Sequence, residues 1–300
     1  MTSIEVAHLT KRFGPNLAVD DLSFTVREGR IAGFLGANGS GKTTTIRVLL
    51  GLSHATAGTA TFGGRSYAEL TDPIREVGAL ISSDTFHPGR SAAQHLHAIA
   101  IAAGIERSRV DTALAMVGLT DVSDRKVGGF SMGMRQRLGL ATALLGDPRV
   151  LILDEPLNGL DPDGISWFRA LMRDFAGRGG TVLLSSHLLA EVAHTVDDVV
   201  VIAHGRLLKA APLHDLGRTS VTIVRTPHAA ALTAALLAAG HAAQRVGNDE
   251  VRVPGAEPDA VGLVAAHEGV VITGLSEQHD DLEDVFRDIT TAPTLNGARS

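Results

Sequence analysis

The chain has 300 residues, with 27 Lys+Arg against 33 Asp+Glu for a formal charge of −6, and it contains no cysteine. The acidic balance argues against nucleic acid as a partner, and the missing thiols exclude disulfides, cysteine nucleophiles and thiolate metal sites together. At 44% hydrophobic but only 4% aromatic, the length supplies one large core or two modest ones filled by Ala, Val, Leu and Ile.

In chain order, the start MTSIEVAHLT has no apolar run between a basic segment and a small-residue cleavage site, so no secretory signal is expected. Strands are predicted at 4–9, 22–26, 31–35 and 59–62, punctuated by Gly and Pro. A helix is expected from near Gly41 to Gly51, then a strand at 76–81. From Ser91 to Gly146 apolar residues recur at helical spacing, as in Leu96, Ile99 and Ala103, or Val110, Leu114 and Val117. The four apolar residues 150–153 read as a strand buried on both faces. A helix (162–176), a strand (181–184), a helix (188–196) and a strand (199–202) follow.

Strands alternating with helices argue for an α/β domain with a largely parallel sheet, here interrupted by a helical insertion at about 88–146. This domain is expected to span 1–216. The remainder, 219–290, reads as a small α+β unit: a strand at 221–225, an Ala-rich helix, strands at 243–246 and 250–253, a helix, a strand at 270–275 and a last helix from Asp280. Residues 291–300 read as a flexible polar tail. The uncharged stretch 226–244 has the length of a membrane span, but it is mostly Ala and is broken by Pro227, His228, Gly240 and His241. A membrane, if one is involved, is expected to be crossed by another polypeptide.

Gly36-Ala37-Asn38-Gly39-Ser40-Gly41-Lys42-Thr43 fits the P-loop pattern in every fixed position, after an apolar strand and before a helix. Glycines let backbone N–H groups turn around phosphate oxygens, and the helix N-terminus adds partial positive charge. Lys42 supplies a point charge at the β/γ-phosphates and Thr43 a hydroxyl for Mg²⁺. ATP and Mg²⁺ are therefore the expected cofactors, held by Gly36, Asn38, Gly39, Ser40, Gly41, Lys42, Thr43 and Thr44. The run Val150-Leu151-Ile152-Leu153 ends in Asp154-Glu155, which delivers two carboxylates to the sheet edge where the P-loop lies. Asp154 is assigned to Mg²⁺, through water, and Glu155 to polarising the attacking water as general base.

Phe130-Ser131-Met132-Gly133-Met134-Arg135-Gln136-Arg137 opens a helix after Gly128-Gly129. Read alone, Ser131 is an ordinary helix N-cap, with free N–H groups that also suit an anion. Its place, 88 residues after Thr43 and just before the Asp-Glu strand, resembles the signature motif of the ABC ATPases. Ser131 and Gly133 match that motif, while Met132 and Met134 replace its commoner Gly and Gln. Three further matches are similar to the family: Asn158-Gly159-Leu160-Asp161 to the loop that crosses its dimer interface, Ser185-Ser186-His187 to its switch histidine, and Phe13 to the aromatic that stacks on adenine. Ser82 stands where the family has a Gln that meets Mg²⁺ and senses the membrane partner; a water or Asp84 could substitute, or the coupling is altered. His279 to Arg287, containing Leu282-Glu283-Asp284-Val285-Phe286, is similar to the tail of drug- and antibiotic-resistance exporter ATPases.

The resemblance, close over 2–215, implies a P-loop cassette with a mixed sheet and a helical subdomain. It implies an ATP-sandwich homodimer in which Ser131 and Gly133 of one copy and Asp161 complete the partner's site, with His187 at the γ-phosphate. It further implies a separate transmembrane permease received on 82–97, a place at the cytoplasmic face of the cell membrane, and export of a drug, antibiotic peptide or lipid-like molecule. A nucleic-acid- or ribosome-directed ATPase is the alternative. The short gap between the motifs, the single P-loop, the absence of Cys and the negative charge oppose it.

Overall fold

The computed structural model describes residues 2–82, 86–215 and 220–279, and the chain divides into two compact units, Met1–Pro212 and Leu213–Ser300. In the first unit β1 (Ile4–Phe13) and β2 (Asn16–Val26) form an antiparallel hairpin that β4 (Ala57–Phe62) extends on the other side of β1. Both hairpin strands run longer than predicted, because Gly14 at φ 54 closes a tight turn and pairing continues to Phe13 and Asn16.

The second sheet has six strands in the order β5-β6-β7-β3-β8-β9. These are β5 (Val77–Leu80), β6 (Val150–Leu153), β7 (Thr181–Ser186), β3 (Ile31–Leu35), β8 (Asp198–Ala203) and β9 (Arg206–Pro212). The first five are parallel and β9 returns antiparallel along the edge. Every residue of β3, β6 and β7 is buried. Continuous burial on both faces explains why these segments are apolar runs rather than alternating ones. Alternate residues (Ala32 and Phe34, Ile152, Leu183, Val200 and Ile202) share one core with the hairpin and with α1 (Lys42–Leu49). Asp198 fastens β8 in place: Arg30 donates to its two oxygens at 2.7 and 3.0 Å and holds its carboxyl below the usual range.

The one-turn helix α2 (Pro73–Glu76) leads into β5. Between β5 and β6 lie α3 (Ala92–Ala102), α4 (Ser108–Met116) and α5 (Met132–Leu144), so the segment with helical periodicity is helical. Ser91 opens α3 through a reciprocal capping box with Gln94. After β6 come α6 (Pro162–Gly177) and the short α7 (Leu189–Ala193).

The second unit runs β10 (Ser220–Arg225), α8 (Ala229–Ala238), β11 (Gln244–Val246), β12 (Glu250–Pro254), α9 (Pro258–His267) and β13 (Gly274–His279). Its sheet order is β11-β12-β10-β13, antiparallel throughout, which is a split βαβ arrangement. Its own core gathers Val224, Leu232, Leu236, Val251, Val253 and Val261. The last strand begins four residues later than predicted: Val270 N–H closes the end of α9 on Ala265 O, and pairing starts only where Gly274 meets Arg225. The helix expected from Asp280 lies outside the described residues. No helix among the described residues is long and apolar enough to cross a membrane.

Candidate functional site

The carboxyl ends of β3, β6 and β7 lie side by side at the centre of the six-stranded sheet, and each carries one part of the site. β3 ends at Leu35; the N–H of the next residue, Gly36, donates to Ser186 O at 3.4 Å, and the chain then turns through Asn38 and Gly39 into α1. Gly41 caps that helix at φ 106, a left-handed conformation, and a Cβ there would come within 2.7 Å of Ala18 O. Only glycine meets both conditions without strain. The buried hydroxyl of Ser40 finds no hydrogen-bond partner among the described residues, so a donor remains inside the loop.

A cleft of about 390 Å³ opens over this loop, lined by Phe13, Asn38, Gly39, Gly41, Lys42, Thr43, Thr44 and Glu155 together with Asn16, Leu17, Ala18 and Ala37. Phe13, at the end of β1, is 51% exposed at the rim, with Lys11 Nζ 4.6 Å from its ring centre. A half-exposed aromatic ring beside a phosphate-binding loop suits a purine base. Lys42 is 5% exposed and donates from Nζ to Gly36 O at 2.6 Å.

β6 delivers Asp154 and Glu155. Thr43 Oγ1 donates to Asp154 Oδ2 at 2.7 Å, across 111 residues of sequence. Glu155 stands at φ 48, which costs a non-glycine residue about 1–3 kcal/mol unless its surroundings fix it. Its Oε1 lies 3.5 Å from Lys42 Nζ and its Oε2 3.0 Å from His187 Nδ1. The structure therefore brings Lys42, Thr43, Asp154, Glu155 and His187 together.

Ser131, Gly133 and Asp161 are not among the residues lining this cleft. Ser131 is the exposed N-cap of α5, its Oγ accepting the Met134 N–H at 3.2 Å. Gly133 backs onto the loop after β6, where a Cβ would approach Gly159 O to 3.0 Å. Asp161 caps α6 by accepting the Gly164 N–H at 2.8 Å. Ser82, just beyond β5, is exposed, and Asp84 lies outside the described residues.

Three hydrogen bonds come from two residues, Ser185 and Gln136, that lie within the motif segments but carry no assigned role there. Ser185 on β7 donates to Asp154 Oδ1 and accepts the Glu155 N–H, and Gln136 on α5 donates to Glu155 O at 3.2 Å. The hint in the sequence is polarity where burial is expected, Ser185 following an apolar run and Gln136 lying on a buried helix face.

Comparison with known proteins gives the same outline. A family model described as ABC transporter matches residues 19–158, and a model for a domain of unknown function matches 220–283. The bacitracin transport ATP-binding protein BcrA of Bacillus licheniformis is 43% identical over 218 residues, covering 72% of this chain and 71% of that protein. The lantibiotic transport ATP-binding protein SrtF of Streptococcus pyogenes is 34% identical over 205 residues, covering 68% of this chain and 89% of that one. Among solved structures, the ATP-binding subunit of an ABC transporter matches at a TM-score of 0.65 and 26% identity, over 71% of this chain and 91% of the other.

Proposed function

This chain belongs to the ATP-binding proteins of the ABC transporters and hydrolyses ATP for transport, and on that premise we propose which residues perform the reaction and what it drives. The observation that carries the reading is the convergence of Lys42, Thr43, Asp154, Glu155 and His187 at three adjacent strand ends. The phosphate chain lies in the P-loop against Lys42, with the base on Phe13. In the described state Lys42 is held by Gly36 O and faces Glu155. A bound γ-phosphate draws Lys42 to itself and leaves Glu155 free to accept a proton from water. His187, already beside Glu155, orients that carboxylate toward the γ-phosphate.

Mg²⁺ fits the donors present: the Thr43 hydroxyl and the Asp154 carboxylate are hard oxygen ligands 2.7 Å apart, at the mouth of the loop. When bound, the ion neutralises charge developing on the phosphate oxygens. Thr43 and Asp154 would hold it, Asp154 through water.

The signature residues Ser131 and Gly133 serve the nucleotide of a second copy, so two chains enclose two ATP molecules. Closure on ATP and opening after hydrolysis move a separate permease, which places the chain at the cytoplasmic face of the membrane. Two observations support 82–97 as the receiving surface: Phe86 is stacked edge-on upon His95 at 4.9 Å, and His87 to Arg90 are exposed. Relatives named for bacitracin and lantibiotic transport support export of an antibiotic peptide, a drug or a lipid-like molecule. The second unit, whose sequence contains no glycine-rich phosphate loop, acts in regulation or in dimer stability.

Both parts are tested by isolating the full chain and a chain ending at Pro212 from membranes and measuring ATP binding on each. A membrane-spanning protein is expected to accompany the full chain, and ATP binding should survive the cut. An active ATPase that no membrane protein accompanies contradicts the permease assignment. A normally folded short chain that binds no ATP places the second unit in the nucleotide site.

A further inference from the structure

The motifs leave Ser185 without a role, yet it touches both carboxylate-bearing residues of β6. It lies on β7, between β6 and β3, and is fully buried. A serine hydroxyl offers one donor and two lone pairs. Here the donor goes to Asp154 Oδ1 at 2.5 Å, and a lone pair accepts the Glu155 N–H at 2.9 Å.

The two contacts divide the work of Asp154. Oδ1 accepts from Ser185 inside the sheet, which fixes the turn of the carboxylate, and Oδ2 accepts from Thr43, a residue of the cleft lining. They also bear on Glu155. Its left-handed backbone persists only where neighbours over-determine it. The residue is held at both ends, its N–H by Ser185 and its carbonyl by Gln136. The preceding residues Val182, Leu183 and Leu184 are fully buried and apolar, so packing alone asks for no hydroxyl at 185.

We propose that Ser185 is a positioning residue for ATP hydrolysis: one buried hydroxyl sets the Asp154 oxygen that meets the metal and the backbone from which Glu155 reaches water. The proposal rests on the reading of the cleft as the ATP-hydrolysing site. A hydroxyl that acts this way matters when Mg²⁺ is present and hardly at all when it is absent. A hydroxyl that merely fills space affects both conditions alike.

The test compares full-length wild type, Ser185→Ala and Glu155→Gln, titrating ATP with EDTA and then Mg²⁺ at fixed ATP, followed by steady-state turnover. For Ser185→Ala, affinity in EDTA is expected within about twofold of wild type, since no atom of Ser185 lines the P-loop cleft. The Mg²⁺ midpoint should rise ~10-fold and kcat fall ~10-fold, the scale of one lost hydrogen bond to a charged group. If Ser185→Ala melts well below wild type, Ser185→Cys, closer in volume, takes the same titrations. An unchanged Mg²⁺ midpoint and kcat, or an equal loss of affinity with and without Mg²⁺, overturns the role of Ser185. Those results beside an inactive Glu155→Gln leave the cleft assignment standing. A Glu155→Gln chain that turns over like wild type removes the cleft assignment itself.

Discussion

Glu155→Gln is expected to bind ATP as well as wild type, or better, and to hydrolyse it at least ~10²-fold more slowly. The amide keeps the shape of the carboxylate, so it can still meet His187, but it cannot accept a proton from water. It also removes the negative charge that faces Lys42 at 3.5 Å, leaving the lysine free for phosphate. Binding is therefore kept while turnover falls, a split that general damage to the fold would not produce. Phosphate release and nucleotide titration on one preparation check the result. Turnover within about threefold of wild type excludes Glu155 as the general base.

Lys42→Ala has a different signature, because binding fails first. Lys42 is held almost out of solvent by Gly36 O, with its ammonium aimed into the loop rather than free to swing. Removing it deletes charge-assisted hydrogen bonds worth ~1.5–3 kcal/mol each. ATP affinity should fall ~10²-fold, since each 1.4 kcal/mol is tenfold. Calorimetric titration measures it directly. Affinity within threefold of wild type would mean that the loop does not hold the phosphates.

What was legible in the sequence was local. Gly36 to Thr43 are contiguous, so their spacing alone describes the loop, and the apolar run 150–153 announces a strand buried on both faces. The contacts that complete the site are not local. Ser185 meets Asp154 from 31 residues away and Gln136 meets Glu155 from 19, and neither spacing corresponds to a helical or strand period. β9 escaped prediction because it is an edge strand with little buried surface, so Arg206–Pro212 shows no alternation of apolar and polar residues. The strand predicted at 270–275 covers the apolar run Val270-Val271-Ile272, but Val270 finishes α9 and the ladder starts at Gly274. Asp161 shows the converse: a residue matched to a family loop also performs the plain task of capping α6.

One chain is expected to hold only part of each ATP site. Lys42, Thr43 and Glu155 line a cleft on their own chain, and Asp154 and His187 touch Thr43 and Glu155 there, while Ser131 and Gly133 sit at the start of α5 outside that lining. Sedimentation velocity of the Glu155→Gln chain, with and without ATP and Mg²⁺, tests this directly. The expected result is a monomer without nucleotide and a species of about twice the mass with it. The same mass under both conditions, with ATP shown to be bound, would contradict a site shared between two copies.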